Sequence, residues 1–339
     1  MKWNDIFLAG TGVWLPERTS MVDAVKAGLT TPDHRTATGQ VAACVAGTDD
    51  IPVDMAISAG RTALRRSGVD PSDVSLLLHA VCHFQGIDEW TPSSYIQAHT
   101  IGASAQAIEV RQWSNGGMAA LEMAAAHVTC RTGGASALVT TGENFGWPAW
   151  YRWHSPRAGV LGDGGTALVI SRRPGWGRLL ATASYGDPSL EGIARGDDGF
   201  RLSPDGVPDF DRRKRAYVEK VGLRCIGDRI RKGMRIVVEE VLRDAGIELS
   251  QVTHIVAPHV GRATLKGEVL RPIGADIDRT TWEWGRTVGH LGGGDQAAGL
   301  NHLVESGQLA NGDYVLVLGN GLGSNWTCAV IQVVAGMDR

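Results

Sequence analysis

At 339 residues, 43% hydrophobic and 20% charged, the chain has the make-up of a soluble globular protein, one large domain or two fused halves. A formal net charge of −3 and an isoelectric point near 6.4 speak against a nucleic-acid binder. The five cysteines (Cys44, Cys82, Cys130, Cys225, Cys328) are odd in number and lack CxxC spacing, which fits reduced thiols and gives no metal pattern. The opening MKWNDIFLAGTG enters a strand-like run without the apolar core of a signal peptide. No apolar run approaches the roughly 20 residues of a membrane span, so a cytoplasmic protein without a membrane partner is expected.

In chain order, residues 6–12 read as a strand closed by Gly-Thr-Gly, while 21–48 mixes helical and Gly/Thr segments without resolving. Residues 52–67 carry apolar positions at helical spacing, with Arg61, Arg65 and Arg66 opposite and Gly68 as terminator. After the turn Asp70-Pro71-Ser72-Asp73, VSLLLHA (74–80) reads as a buried strand. A helix is expected to begin near Tyr95, and 107–110 forms a strand running into Arg111-Gln112-Trp113-Ser114. Asn115-Gly116-Gly117 permits a close turn, and 118–128 is an apolar helix. Strands are expected at 137–141 and 164–170, and 174–208, rich in Gly, Asp and Pro, reads as loops. Residues 211–235 hold ten Lys/Arg against three Asp/Glu. Such a run is either a solvated helix face or, through Arg212, Arg213, Lys214 and Arg215, a docking surface for an acidic or phosphate-bearing carrier.

The second half repeats the plan of the first. Leu64, Gly68, Ser72 and Val74 recur 178 positions later as Leu242, Gly246, Ser250 and Val252. At an offset of 177, residues 117–120 match 294–297 and 137–142 match 314–319. Two helix–turn–strand units at nearly one offset imply a duplicated α/β unit, with halves 1–173 and 174–339. Pseudo-two-fold packing then sets the start of the Ser114 helix opposite 288–296.

Ser114 between a strand and a helix start is either an ordinary N-cap or a nucleophile placed where free N–H groups favour an oxyanion. The facing segments supply what a weak hydroxyl nucleophile needs. His259 follows a strand in APHVG, and His290 sits in VGHLGGGD with Asp295 five residues on, so a glycine turn lets the carboxylate hold the imidazole. Each also has an ordinary structural reading, as a strand-end, turn or helix-start residue. Gly321 and Gly323 in GNGLGSNW offer backbone N–H groups for a second oxyanion contact at Leu322. Trp113, Trp147, Trp150 and Trp153 either wall a substrate pocket or pack the core. The sequence lacks GxSxG, a phosphate loop, a convincing GxGxxG and metal spacing, so no metal or cofactor is expected.

Together the duplicated halves, LGDGGTALVI (161–170), APH (257–259), the Gly289-His290 turn and GNGLGSNWTCAVIQV resemble ketoacyl synthase III of the thiolase superfamily over nearly the whole chain. The resemblance implies an α/β thiolase fold of two duplicated halves forming a five-layer αβαβα core, an acyl-carrier or coenzyme A thioester donor, and a homodimer. Ser114 stands at the family's nucleophilic cysteine, His259 at its histidine, although Val260–Arg262 departs from the PHQAN motif, and His290 at its asparagine. Gly321-Leu322-Gly323 stands at its oxyanion loop. With Asp295 these departures resemble the ketoacyl synthase III-like acyltransferases of natural-product pathways, which carry GHxxxxD. They imply acyl transfer through an acyl-Ser114 intermediate to a hydroxyl or amine of a sugar- or cyclitol-like acceptor. Decarboxylative condensation with a malonyl carrier, as in starter-unit ketosynthases with serine, is the alternative, and a catalytically silent complex partner is a third.

Overall fold

The computed structural model describes residues 1–131, 135–146, 150–153, 159–200 and 209–334. Its strands are β1 (Phe7–Trp14), β2 (Arg18–Ser20), β3 (Ala42–Cys44), β4 (Val74–Ala80), β5 (Gln106–Val110), β6 (Ser136–Glu143), β7 (Gly164–Ser171), β8 (Gly177–Gly186), β9 (Val252–Val256), β10 (Tyr314–Gly321) and β11 (Asn325–Val333). Strands β2 and β3 form a separate ribbon, and the other nine run in the order β5-β4-β6-β7-β1-β8-β11-β10-β9.

That order is one pattern written twice. In the first half, β4 and β6 pair in parallel, while β6–β7 and β7–β1 are antiparallel. In the second, β9 and β10 pair in parallel, while β10–β11 and β11–β8 are antiparallel. Even the partner of β5 has a remnant, a single parallel bridge from Ile255 to Thr280. The two sheets meet through two residue pairs between β1 and β8.

Layering follows from where apolar faces are buried. The helix Pro52–Ser67 covers the first sheet, packing Ala56, Ala59 and Ala63 against Leu77, Leu138 and Val169. The helix Leu223–Ala245 covers the second with Ile230, Met234, Val237 and Val241. Between the sheets lie the helices Gly116–Cys130 and Asp295–Glu305, whose Met118, Leu121, Ala297 and Leu300 share one core with both. The result is the five-layer α/β arrangement of the thiolase fold; the helix Gly116–Cys130 is nearly all apolar because it faces a sheet on two sides, whereas Asp295–Glu305 also buries Asp295, Gln296 and Asn301.

Two expectations change. Residues 174–208 are not all loop, since β8 runs for ten residues at the middle of the nine-stranded sheet. Its Leu179, Ala181 and Ala183 are buried, but small residues and flanking glycines blunt the alternation that marks a strand. The unresolved stretch 21–48 contains short helices Met21–Lys26 and Pro32–Thr38, then β3. Among the described residues no helix is long and apolar enough to cross a membrane.

Candidate active site

The chain leaves β5 through a single 3-10 turn, Trp113–Asn115, before the helix Gly116–Cys130 begins. Trp113 sits at φ 51°, a left-handed conformation uncommon for a bulky residue, and it turns the backbone sharply just before Ser114. Ser114 is not the N-cap: Asn115 holds that position, with no side-chain cap bond. The Ser114 Oγ–H instead donates to His290 Nε2 at 2.7 Å, across 176 residues of chain.

The facing turn is fixed from several sides. His290 N–H donates to Val160 O (2.9 Å) and its carbonyl accepts from Gly162 N–H (3.0 Å), so LGDGG brackets the histidine. Asp163 of that motif is structural. It accepts from Ala46 N–H and Phe145 N–H and pairs with Arg152 at 2.7 Å. Asp295 opens the helix Asp295–Glu305, and its fully buried carboxylate accepts from His290 Nδ1 (2.5 Å), Leu291 N–H (2.7 Å) and His259 N–H (2.8 Å), with the His259 ring nitrogen Nδ1 3.3 Å away. Burial pushes the Asp295 carboxyl up, but the two imidazoles and the Leu291 N–H outweigh it and hold it below the usual carboxylate value. Because the carboxylate can only accept, His290 carries its proton on Nδ1, leaving the Nε2 lone pair for the serine hydroxyl.

The two turns touch backbone to backbone, as a Cβ on Gly117 would lie 2.2 Å from Gly293 O. The β10–β11 hairpin closes a third side: a Cβ on Gly321 would meet Gln112 O at 2.6 Å and Asn115 N at 2.7 Å. Leu322 follows in that hairpin turn, next to the segment that carries Ser114.

Beside Ser114 an apolar cluster joins Cys82, Phe145 and Leu161 with Trp113, Trp150 and Val260. The Trp113 and Trp150 rings meet edge-on at 5.9 Å, Phe145 meets Trp150 at 5.5 Å, and Phe210 stacks on Trp150 at 5.1 Å. Trp153 is elsewhere, packed in the core with Met21, Ala24, Ala43 and Val160. Trp147 lies outside the described residues. Phe145, Phe210 and Glu143 were not expected from sequence. Glu143 ends β6, takes Cys82 N–H at 2.5 Å, and burial pushes its pKa up to about 8. A Cβ on Gly292, two residues after His290, would come within 3.3 Å of Glu143 Cγ, so this acid underlies the His290 turn.

The basic run 211–235 forms the helix Phe210–Val221 and the start of Leu223–Ala245. Arg212 pairs with Asp197 and Asp198, and Arg213 with Asp198 at 2.7 Å. Those two charges are therefore met within the chain. Further along, Arg231, Lys232 and Arg235 line a groove with Arg271, accompanied by Asp228 and Glu268.

A serine bonded to a histidine, itself held by a buried carboxylate, with a helix start below and an aromatic cluster beside it, is equipped for acyl transfer. Known proteins agree on the class. Residues 242–333 match the family model described as 3-oxoacyl-[acyl-carrier-protein] synthase III C terminal. The solved structure of the acyltransferase ChlB3 is 36% identical with a TM-score of 0.90, covering 97% of this chain and 98% of that one. A β-ketoacyl-[acyl-carrier-protein] synthase III of Roseiflexus castenholzii is 25% identical over 98% of this chain and 99% of its own. The acetoacetyl CoA synthase NphT7 of a Streptomyces species is 26% identical over 96% of this chain and 98% of its own. The chain belongs to the ketoacyl synthase III-like family of the thiolase superfamily. It is an acyl-transferring or condensing enzyme of the transferase class.

Proposed function

We propose that the protein is an acyltransferase that carries an acyl group from a carrier-protein or coenzyme A thioester, as an ester on Ser114, to a hydroxyl or amine of a small sugar- or cyclitol-like acceptor. The observation that carries this reading is the chain Ser114–His290–Asp295, with contacts of 2.7 and 2.5 Å. His290 Nε2 takes the Ser114 proton as Oγ attacks the thioester carbon, and returns it to the departing thiolate as the C–S bond breaks. Asp295 holds the ring and stabilises the imidazolium. Backbone N–H groups at Ser114 and Leu322 receive the oxyanion. In the second half-reaction the acceptor attacks the Ser114 ester, His290 takes its proton and returns it to Oγ. Trp113, Trp150, Phe145 and Phe210 supply the apolar wall.

The donor's acidic carrier or phosphates are assigned to the groove where Arg231, Lys232, Arg235 and Arg271 gather, with Asp228 meeting Arg231 at 2.6 Å and Glu239 3.8 Å from Arg235. Decarboxylative condensation stays as a second reading because the ketosynthase relatives span nearly the whole chain. It asks for N–H donors to an enolate, whereas His290 turns a lone pair towards Ser114. Product analysis separates the two. Acyl transfer predicts an ester or amide formed without malonyl donor or CO2 release, and a β-ketoacyl product with loss of CO2 would overturn it.

A further inference from the structure

The two facing turns are braced differently. Asp295 braces its own, taking Leu291 N–H at 2.7 Å while it holds His290. The Ser114 turn has no such brace at its helix start. Asn115 is the N-cap there, yet it makes no side-chain cap bond, the bond an asparagine at that position ordinarily supplies. The turn nevertheless contains Trp113 at φ 51°, and a backbone in that region relaxes unless its surroundings over-determine it.

The Asn115 amide is what over-determines it. The residue is fully buried, and its Nδ2 donates to Gln112 Oε1 at 2.6 Å and to Thr327 Oγ1, on β11, at 2.9 Å. Its N–H donates to Gln112 O at 3.2 Å, so Trp113 and Ser114 are spanned twice by bonds between their neighbours. The span is also tied to the other half of the molecule, and the tie continues. Thr327 Oγ1 lies 2.8 Å from Ser184 Oγ on β8, and Ser184 Oγ–H donates to Glu122 Oε1 at 2.9 Å. Its direction is fixed from the far end. A carboxylate oxygen accepts, so the single Ser184 hydroxyl proton goes to Glu122; Thr327 then gives its proton to Ser184 and keeps a lone pair for the Asn115 amide. Glu122 stands about two helical turns after Asn115, so the relay returns to the helix it leaves. On the opposite side β10 shuts the space, since a Cβ on Gly319 would lie 2.7 Å from Asn115 Oδ1.

We propose that Asn115 is a positioning residue: through the relay Thr327–Ser184–Glu122 it holds the strained Trp113 turn, so that Ser114 Oγ stays within reach of His290 Nε2. This rests on the acyl-Ser114 reading. The effect is indirect and acts on the 2.7 Å contact between Ser114 and His290. Hydrogen bonds that run in one direction polarise one another, so loss of a distant link loosens the first.

The relay is tested in the full chain at Thr327, away from the helix start. Thr327→Val keeps the shape and removes the hydroxyl, and Thr327→Ser restores it. With acetyl-CoA and the N-acetylcysteamine thioester of acetate as donors, single-turnover acylation of Ser114 is followed by intact mass, and the melting temperature of each variant is measured alongside. In Thr327→Val the rate at saturating donor should fall about 10- to 100-fold, with the half-saturating concentration within about twofold of the parent's. Thr327→Ser should return the rate to within about threefold of the parent. Ser136→Ala is the control for lost stability, because it removes a buried hydroxyl pair between β6 and β7, Ser136 Oγ to Ser171 Oγ at 3.0 Å. Its acylation rate should stay within about twofold of the parent. A second readout needs no turnover. In histidine 15N NMR, assigned with His290→Gln, the Nε2 signal of His290 should report a hydrogen bond in the parent and in Thr327→Ser. It should move towards that of a free ring nitrogen in Thr327→Val and Asn115→Ala. A parent-like rate in Thr327→Val, slowing no greater than that of Ser136→Ala at equal loss of melting temperature, or no rescue by Thr327→Ser overturns the proposal. If the parent forms no acyl-Ser114, the underlying reading fails instead. The His290 signal then decides the inference by itself, and an unchanged Nε2 shift in Thr327→Val overturns it.

Discussion

Asp295 is fully buried and yet charged, which is tolerable because three N–H donors meet its two oxygens and a second imidazole lies beside them. Glu143 shows the opposite solution close by: with fewer donors it keeps its proton, its pKa pushed up to about 8 from an ordinary 4.5. An acid whose folded pKa is raised adds stability that is whole below pH ~4.5 and is lost as the pH climbs through about 8. Glu143→Gln, which keeps the shape and an acceptor for Cys82 N–H, should therefore gain melting temperature relative to the parent as pH rises from 5 to 8. A gap that stays constant across that range contradicts the assignment. At this scale the sequence was informative about Ser114, His290 and Asp295, because two lie on one short glycine turn and the repeat sets the third opposite. It was silent about Glu143, which reads as any strand-end carboxylate until its burial is known. The tryptophans divided for the same reason: ring size announces burial, not which cavity is filled, and Trp153 fills the core.

At the level of elements, the site depends on two helix starts coming closer than side chains allow. An alanine inside a helix ordinarily improves on glycine by about 0.5–1 kcal/mol. At Gly117 the new Cβ would strike Gly293 O, so Gly117→Ala should instead lower stability by about 1–3 kcal/mol and slow acylation of Ser114 by prising the turns apart. Gly227→Ala is the control. It lies in the helix Leu223–Ala245, where the Cβ would meet only the flexible end of Arg231, and should raise stability. Denaturant titration of both checks this, and equal signs would contradict it. Elements with strong periodicity or long apolar runs, such as 52–67, β4 and β6, were legible in sequence. The central strand β8 was not, because alanines and glycines let it pass between neighbours without the bulky alternation by which strands are read.

Across the whole molecule, duplication is the organising fact. Both halves arrange their strands identically, join through β1 and β8, and bring their equivalent helix starts together, so one half provides the Ser114 hydroxyl and the other the His290 imidazole it bonds and the Asp295 carboxylate. Local charge read from sequence is only one side of the balance at this scale. The basic run is real, but Asp197 and Asp198 fold back onto Arg212 and Arg213, which a count along the chain cannot reveal. With Arg235→Glu and Arg271→Glu combined, the KM for a carrier-protein donor should rise at least about tenfold, more so at low salt, with little change for an N-acetylcysteamine thioester. Arg212→Ala should leave both values near the parent's. If Arg212→Ala raises the carrier KM and the groove variant does not, docking belongs on the earlier helix.

The acyl-enzyme itself is the most direct test of the account. Intact-mass measurement after incubation with acyl-CoA and acyl-carrier thioesters, followed by peptide mapping, should show one acyl group on Ser114. Ser114→Ala should abolish that mass and reduce transfer by about a thousandfold or more. Full transfer by Ser114→Ala, or an acyl group mapped to a cysteine such as Cys82, would contradict it.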